Sequence, residues 1–112
     1  MTKFKNKKTQ GFHSGLEYRR YQELLLLQKA GEIKNLECQP KWELLPKFTD
    51  AHGGKHRAIT YKADFIYTEV KDGIEIEIVE DVKSPPTRKE AAYIIRKKLL
   101  LFRYDDFVFR EV

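Results

Sequence analysis

The chain has 112 residues, enough for one hydrophobic core and too few for two. Hydrophobic residues make up 41% and charged residues 35%, and no run approaches the roughly 18 apolar residues of a membrane span. A single cysteine, Cys38, excludes an internal disulfide and a cysteine-based zinc site, and suits a reducing cytoplasm.

Residues 1–12 read as a flexible basic arm, with Lys3, Lys5, Lys7 and Lys8 and no acid among the first ten positions. This start lacks the apolar h-region of a secretory signal. Residues 13–112 read as one domain. Ser14-Gly-Leu-Glu17 matches a capping box and predicts a helix from about Leu16 to Ala30, stopped by Gly31. Its buried stripe is Tyr21, Leu24, Leu25 and Gln28. Glu17 has two readings: it closes the helix N-terminus, or it points across a sheet toward a site. Spacing does not separate them.

Leu36, Cys38, Pro40, Trp42 and Leu44 alternate with polar residues and predict one long strand, with Pro40 marking an edge or a bulge. Cys38 and Trp42 fall on its apolar face and are expected in the core. Gln39 lies on the polar face. Residues 46–56 read as a loop around Gly53-Gly54, with His52 and His56 as loop histidines.

Arg57 to Tyr67 predicts a second strand, with Ile59, Tyr61, Ala63, Phe65 and Tyr67 on one face and Thr60, Lys62, Asp64 and Ile66 on the other. Lys71-Asp-Gly73 is a hairpin turn. The third strand, Ile74 to Lys83, places Ile74, Ile76, Ile78 and Val82 on one face and Asp81 with Lys83 on the other. Ser84-Pro85-Pro86 ends it. Thr87-Arg-Lys-Glu90 is a second capping box, opening a helix to about Arg103 with Tyr93, Ile94, Leu100 and Leu101 buried. Phe107-Val-Phe109 reads as a last short strand.

Acid-x-Lys triplets occur at Glu32, Glu69 and Asp81, about as often as composition alone gives. Only Asp81-Val-Lys83 ends an apolar strand with an acid on the strand before it. A carboxylate on each of two paired strands, with a lysine two residues on, suits a divalent metal and an activated water. The charge distribution agrees in sign. Residues 69–81 hold Glu69, Asp72, Glu75, Glu77, Glu80 and Asp81 against Lys71. Residues 87–103 hold Arg88, Lys89, Arg96, Lys97, Lys98 and Arg103 against Glu90. Acids that hold cations beside bases that hold phosphates fit an enzyme acting on a polyanion. A net charge of +5 also suits solubility alone.

Four segments carry a resemblance: Ser14-Gly-Leu-Glu17 with Arg20-Tyr21, then Gln39-Pro40, Tyr61-Lys-Ala-Asp-Phe65, and Glu80-Asp-Val-Lys83. In this order the chain resembles the PD-(D/E)XK nuclease superfamily, and within it a family of small phage- and prophage-encoded proteins of largely unassigned role. Ala63 stands where the superfamily has the proline of its Pro-Asp step. The resemblance implies an α/β fold with a restriction-endonuclease-like αβββαβ core, a mixed sheet flanked by helices. It implies Mg²⁺ or Mn²⁺ held by Asp64 and Asp81, helped by the Val82 carbonyl. Lys83 would orient or deprotonate the attacking water and offset phosphate charge, and Glu17 would bind the metal through water or help hold the site. A lysine beside two carboxylates is expected to act electrostatically rather than as a base. Lys62, Arg88, Lys89, Arg96, Lys97 and Lys98 are the expected phosphate contacts. The implied substrate is DNA, with branched DNA among the candidates, RNA left open, and both monomer and homodimer compatible. A DNA-binding or assembly module that keeps the fold without turnover is the alternative.

Overall fold

The computed structural model describes residues 15–112. The basic arm expected over residues 1–12 and the Ser14 cap lie outside these. Gly15–Lys29 form α1. It ends in a Schellman closure: the Gly31 N–H donates to Gln28 O and the Glu32 N–H to Leu27 O, both at 3.0 Å, with Gly31 at φ 84. A left-handed residue is required there, and glycine takes it without a Cβ penalty.

Four strands form the main sheet: β1 (Ile33–Cys38), β6 (Phe65–Lys71), β7 (Ile74–Asp81) and β8 (Val108–Glu111), side by side in that order. β1 and β7 run antiparallel to β6, and β8 runs parallel to β7. The predicted hairpin is present. Lys71 pairs with Ile74 across Asp72-Gly73, whose φ angles of 54 and 80 are those of a two-residue primed turn. Between β1 and β6 the chain makes four short strands: β2 (Lys41–Leu45), β3 (Phe48–Thr49), β4 (Lys55–His56) and β5 (Ile59–Lys62). β2 pairs with β5 and β3 with β4. After β7 come α2 (Pro85–Arg88) and α3 (Ala91–Arg103). The domain is therefore a mixed α/β sheet flanked by helices. Counting the main sheet alone, the order is α1, β1, β6, β7, α3, β8.

Each face of the sheet has its own apolar layer. Leu24, Ile33, Phe65, Tyr67 and Ile78 pack under α1, with Tyr21 stacked on Phe65 at 6.2 Å. Leu44, Tyr61, Ala63, Val79, Tyr93 and Leu100 pack under α3, with Trp42 against Phe107 at 5.4 Å. No helix among the described residues is long and apolar enough to cross a membrane.

Several expectations need correction. The strand expected over Leu36–Leu44 is two strands in different sheets. Gln39, at φ 56, turns the chain between them, and Pro40 cannot continue a ladder. The strand expected over Arg57–Tyr67 breaks at the matching point. Ala63 N–H still donates to Pro40 O, whereas Asp64 N–H donates to Glu80 O, so the chain changes partners between these two residues. Tyr61 and Ala63 consequently pack under α3 while Phe65 and Tyr67 pack under α1. The period of two holds within each strand, and the break inverts its phase. Residues 46–56 are a short hairpin rather than a loop.

Cys38 is exposed, because β1 ends at the Gln39 corner beyond the apolar layer. β7 stops at Asp81, which leaves Lys83 past its end. Ile74 and Ile76 are exposed where the hairpin outruns the helices. The helix expected from Thr87 is α2 followed by a new start at Ala91, and neither start has a side-chain cap. Ile94 and Leu101 are exposed, since the inward stripe of α3 is Tyr93 and Leu100 with Lys97 half-buried between them.

Candidate active site

Asp64 and Asp81 meet at the open end of the β6–β7 hairpin, opposite its turn. The break that moves the chain from β5 to β6 puts Asp64 at the corner. Its backbone N–H donates to Asp81 Oδ1 at 2.9 Å, and its Oδ2 accepts the Val82 N–H at 2.7 Å. The contact from Val82 is thus made by its N–H; the carbonyl expected as a metal ligand takes no part in it. Asp64 Oδ1 carries no hydrogen bond among the described residues. Asp81 is fully buried, and its Oδ2 accepts a hydrogen bond from the Tyr61 hydroxyl and lies 3.6 Å from Lys83 Nζ.

Burial pushes the Asp81 carboxyl up to about 6, and the charge of Asp64 adds to this. The Tyr61 hydrogen bond, Lys83 and the Asp64 N–H pull it back, without cancelling the desolvation. Tyr61 is driven well above the ordinary phenol range by burial and by the neighbouring Asp81 charge, so it stays a donor. Lys83 is fixed by its backbone: its N–H donates to Val112 O at 3.1 Å, and its carbonyl accepts from Arg88 Nε at 3.1 Å. Its ammonium lies 5.5 Å from the centre of the Tyr93 ring. Asp81, Lys83, Tyr61 and Tyr93 line a cleft of about 250 Å³, which Thr60, Lys62 and Arg96 complete.

Of the residues expected at the site, Asp64, Asp81, Val82 and Lys83 come together. Glu17 is 3% exposed on α1 and close enough for its charge to help raise the Cys38 thiol, an effect second to that thiol's burial. It does not complete a ligand cluster: no three Asp, Glu, His or Cys side chains among the described residues converge at metal-binding range. Lys62 and Arg96 are exposed on the cleft, and Lys89 and Lys98 are exposed elsewhere. Lys97 is already engaged, donating to Glu111 Oε2 at 3.1 Å and lying 5.1 Å from the Phe109 ring.

Sequence reasoning missed the tyrosines and the second acid. Tyr61 and Tyr93 sit on apolar stripes and read as core, which they also are; only the tertiary fold turns their hydroxyls toward Asp81 and Glu111. Glu80 is fully buried on the opposite face of β7 from Asp81. It accepts Arg20 Nε at 2.5 Å and Nη2 at 3.0 Å, a fork-shaped pair, and the Tyr67 hydroxyl at 2.6 Å. Tyr67 is pushed up to about 12 by burial and by this bond. A local signal existed for the pair. Glu80 is one residue from Asp81 and must face the other side, and Arg20 lies three residues after Glu17 on one helix face.

Fold and site define a mixed-sheet α/β domain with a lysine-backed acidic cleft at the open end of a hairpin. Its strands bring two aspartates together, and Lys62 of β5 and Arg96 of α3 rim the cleft with cations. The chain belongs to the family described as protein of unknown function (DUF1064), whose model matches residues 1–111. No curated protein and no solved structure matches it.

Proposed function

We propose that this protein is a nuclease of restriction-endonuclease-like fold that hydrolyses phosphodiester bonds in DNA with Mg²⁺ or Mn²⁺. The observation that carries the reading is that Asp81 and Lys83 share a cleft rimmed by Lys62 and Arg96, with Asp64 beside it donating its backbone N–H to Asp81. The order of the main sheet and its helices, with the last strand parallel to β7, agrees with the fold that the resemblance implies.

The donor set fits a hard divalent cation. Mg²⁺ takes one or two carboxylates and keeps several waters, so two aspartates suffice. Asp64, with Oδ1 open, and Asp81 would hold it. When bound it would lower the pKa of a water and neutralise developing phosphate charge. Tyr61 and the Asp64 N–H fix the Asp81 carboxylate in one orientation. Lys83 offers an ammonium beside Asp81 that can offset charge on a phosphate oxygen. Lys62 and Arg96 hold the flanking phosphates by charge rather than by base contacts. Processing of branched phage DNA in the host cytoplasm is the setting that the resemblance implies.

One observation favours the second reading, a nucleic-acid-binding or assembly module without turnover. Both Asp81 oxygens and one of Asp64 already accept a hydrogen bond from a protein donor, and no third ligand stands nearby among the described residues. Incubation of the purified protein with plasmid, linear and four-way-junction DNA, and with RNA, decides between them. Cleavage that needs Mg²⁺ or Mn²⁺ and is lost in Asp81→Asn supports the nuclease. Binding without cleavage by either metal would install the module instead.

A further inference from the structure

The ribbon formed by β2–β5 gives Thr60, Tyr61 and Lys62 to the site described above, and the rest of it extends past that site. Pairing runs from Lys41 opposite Lys62 to Leu45 opposite Ile59, and resumes with Phe48 opposite His56 and Thr49 opposite Lys55. Its root is anchored. Leu44 and Tyr61 sit in the layer under α3, and the Tyr104 hydroxyl donates to Glu43 O at 2.7 Å. Past the root no described residue covers it: every residue from Ala51 to Thr60 is exposed.

An isolated two-stranded ribbon is marginal in water, yet this tip is closely built. Asp50 Oδ1 accepts the His52 and Gly54 N–H groups at 2.9 Å, and Oδ2 lies 2.7 Å from His56 Nε2. The Phe48 ring stacks on His56 at 4.6 Å. Gly54 is needed for this closure, because a Cβ there would lie 2.6 Å from Asp50 Oδ2. The charge is one-sided. Lys41, Lys47, Lys55, Arg57 and Lys62 stand against Glu43 and Asp50, and Asp50 is spent on the tip. Lys41 and Lys62 face each other directly across the strands, an arrangement that is unfavourable without an anion between them. Lys62 also lines the cleft with Asp81 and Lys83, so the row of cations begins at the site and runs outward.

We propose that this ribbon is an arm that lies along duplex nucleic acid beyond the cleft, placing Lys47, Lys55 and Arg57 on phosphates. This rests on the reading of the cleft as a nucleic-acid site. A major groove admits a two-stranded ribbon. From Lys41 to Thr49 the arm spans about 26 Å at roughly 3.3 Å per residue, or about 8 base pairs at 3.4 Å each. The arm therefore strengthens binding only where the duplex continues past the cleft.

The test compares wild type with Lys47→Glu/Lys55→Glu and with the milder Lys47→Gln/Lys55→Gln. Binding is measured in EDTA by fluorescence anisotropy over a salt series, on duplexes of about 8 and about 30 base pairs. The expected result is at least tenfold weaker binding of the long duplex by the reversal variant, with a salt slope shallower by about 2, and little change on the short one. The neutral variant should fall between. Equal salt slopes on the long duplex would overturn the arm, as would a change in sedimentation rather than in binding, which would make the ribbon a contact between copies of the chain. A wild type that cleaves nothing while the slope still changes leaves the arm standing and removes the nuclease reading. Cleavage with an indifferent arm does the reverse.

Discussion

Asp81→Asn should stabilise the metal-free protein at neutral pH, and the gain should vanish in acid. The folded carboxyl is pushed up to about 6, against an ordinary 3.8 in the unfolded chain. Between these values the folded state binds more protons than the unfolded one, so this group's contribution falls as pH rises from about 4 to about 6 and stays lost above. A gap of about two units corresponds to about 3 kcal/mol at pH 7. Asparagine removes the buried charge and retains the partners. Its Oδ1 can accept the Asp64 N–H, and its amide can donate to Tyr61, whose hydroxyl turns away. Urea unfolding in EDTA at a series of pH values from 4 to 8 should show the two proteins converging near pH 4 and separating to on the order of 1 M in midpoint by pH 7, for a slope of 1–3 kcal/mol per M. Curves that run parallel across that range would refute the reasoning, because other titrating groups are common to both proteins. Saturating Mg²⁺ should narrow the gap, since a metal held by the ionised carboxylate stabilises wild type alone.

Lys83→Ala should abolish cleavage while leaving the Mg²⁺-dependent rise in melting temperature in place, because it removes a cation and no ligand; loss of both would make Lys83 structural. Tyr61→Phe leaves a buried carboxylate short of a donor and should cost about 1–3 kcal/mol at pH 7, read by urea unfolding, with less loss near pH 4 where Asp81 is protonated. Arg20→Ala strands the buried Glu80 charge and should cost roughly 3–5 kcal/mol at pH 7, and Glu80→Gln in the same background should recover part of it. Glu17→Gln should lower activity with little change in stability if Glu17 supports the site; unchanged activity returns it to the helix N-terminus, where at most about 1 kcal/mol is at stake.

Local rules settled what depends on neighbours in sequence. α1 and its Gly31 stop, the Asp72-Gly73 turn, β6 and β7 about it, and the final strand all follow from periodicity and turn chemistry acting over a few residues. The pairing of Asp64 with Asp81 was legible for the same reason, as a hairpin fixes its own register. The sequence could not say where two long alternating runs would break. Alternation specifies a face relative to a partner strand, and both runs change partners at one place, Gln39-Pro40 against Ala63-Asp64. That exchange is a long-range event that leaves the alternation itself undisturbed. It sets Asp64 at the corner, sends Tyr61 under α3 and Phe65 under α1, and frees residues 41–62 to form the ribbon. The hydrogen bonds that hold the carboxylates come from elements up to 20 residues away, as in Tyr61 to Asp81. The pair of Arg20 with Glu80 spans 60 residues. Their partners were visible as residue types, and only packing of the two helices on opposite faces decided which acid each would meet.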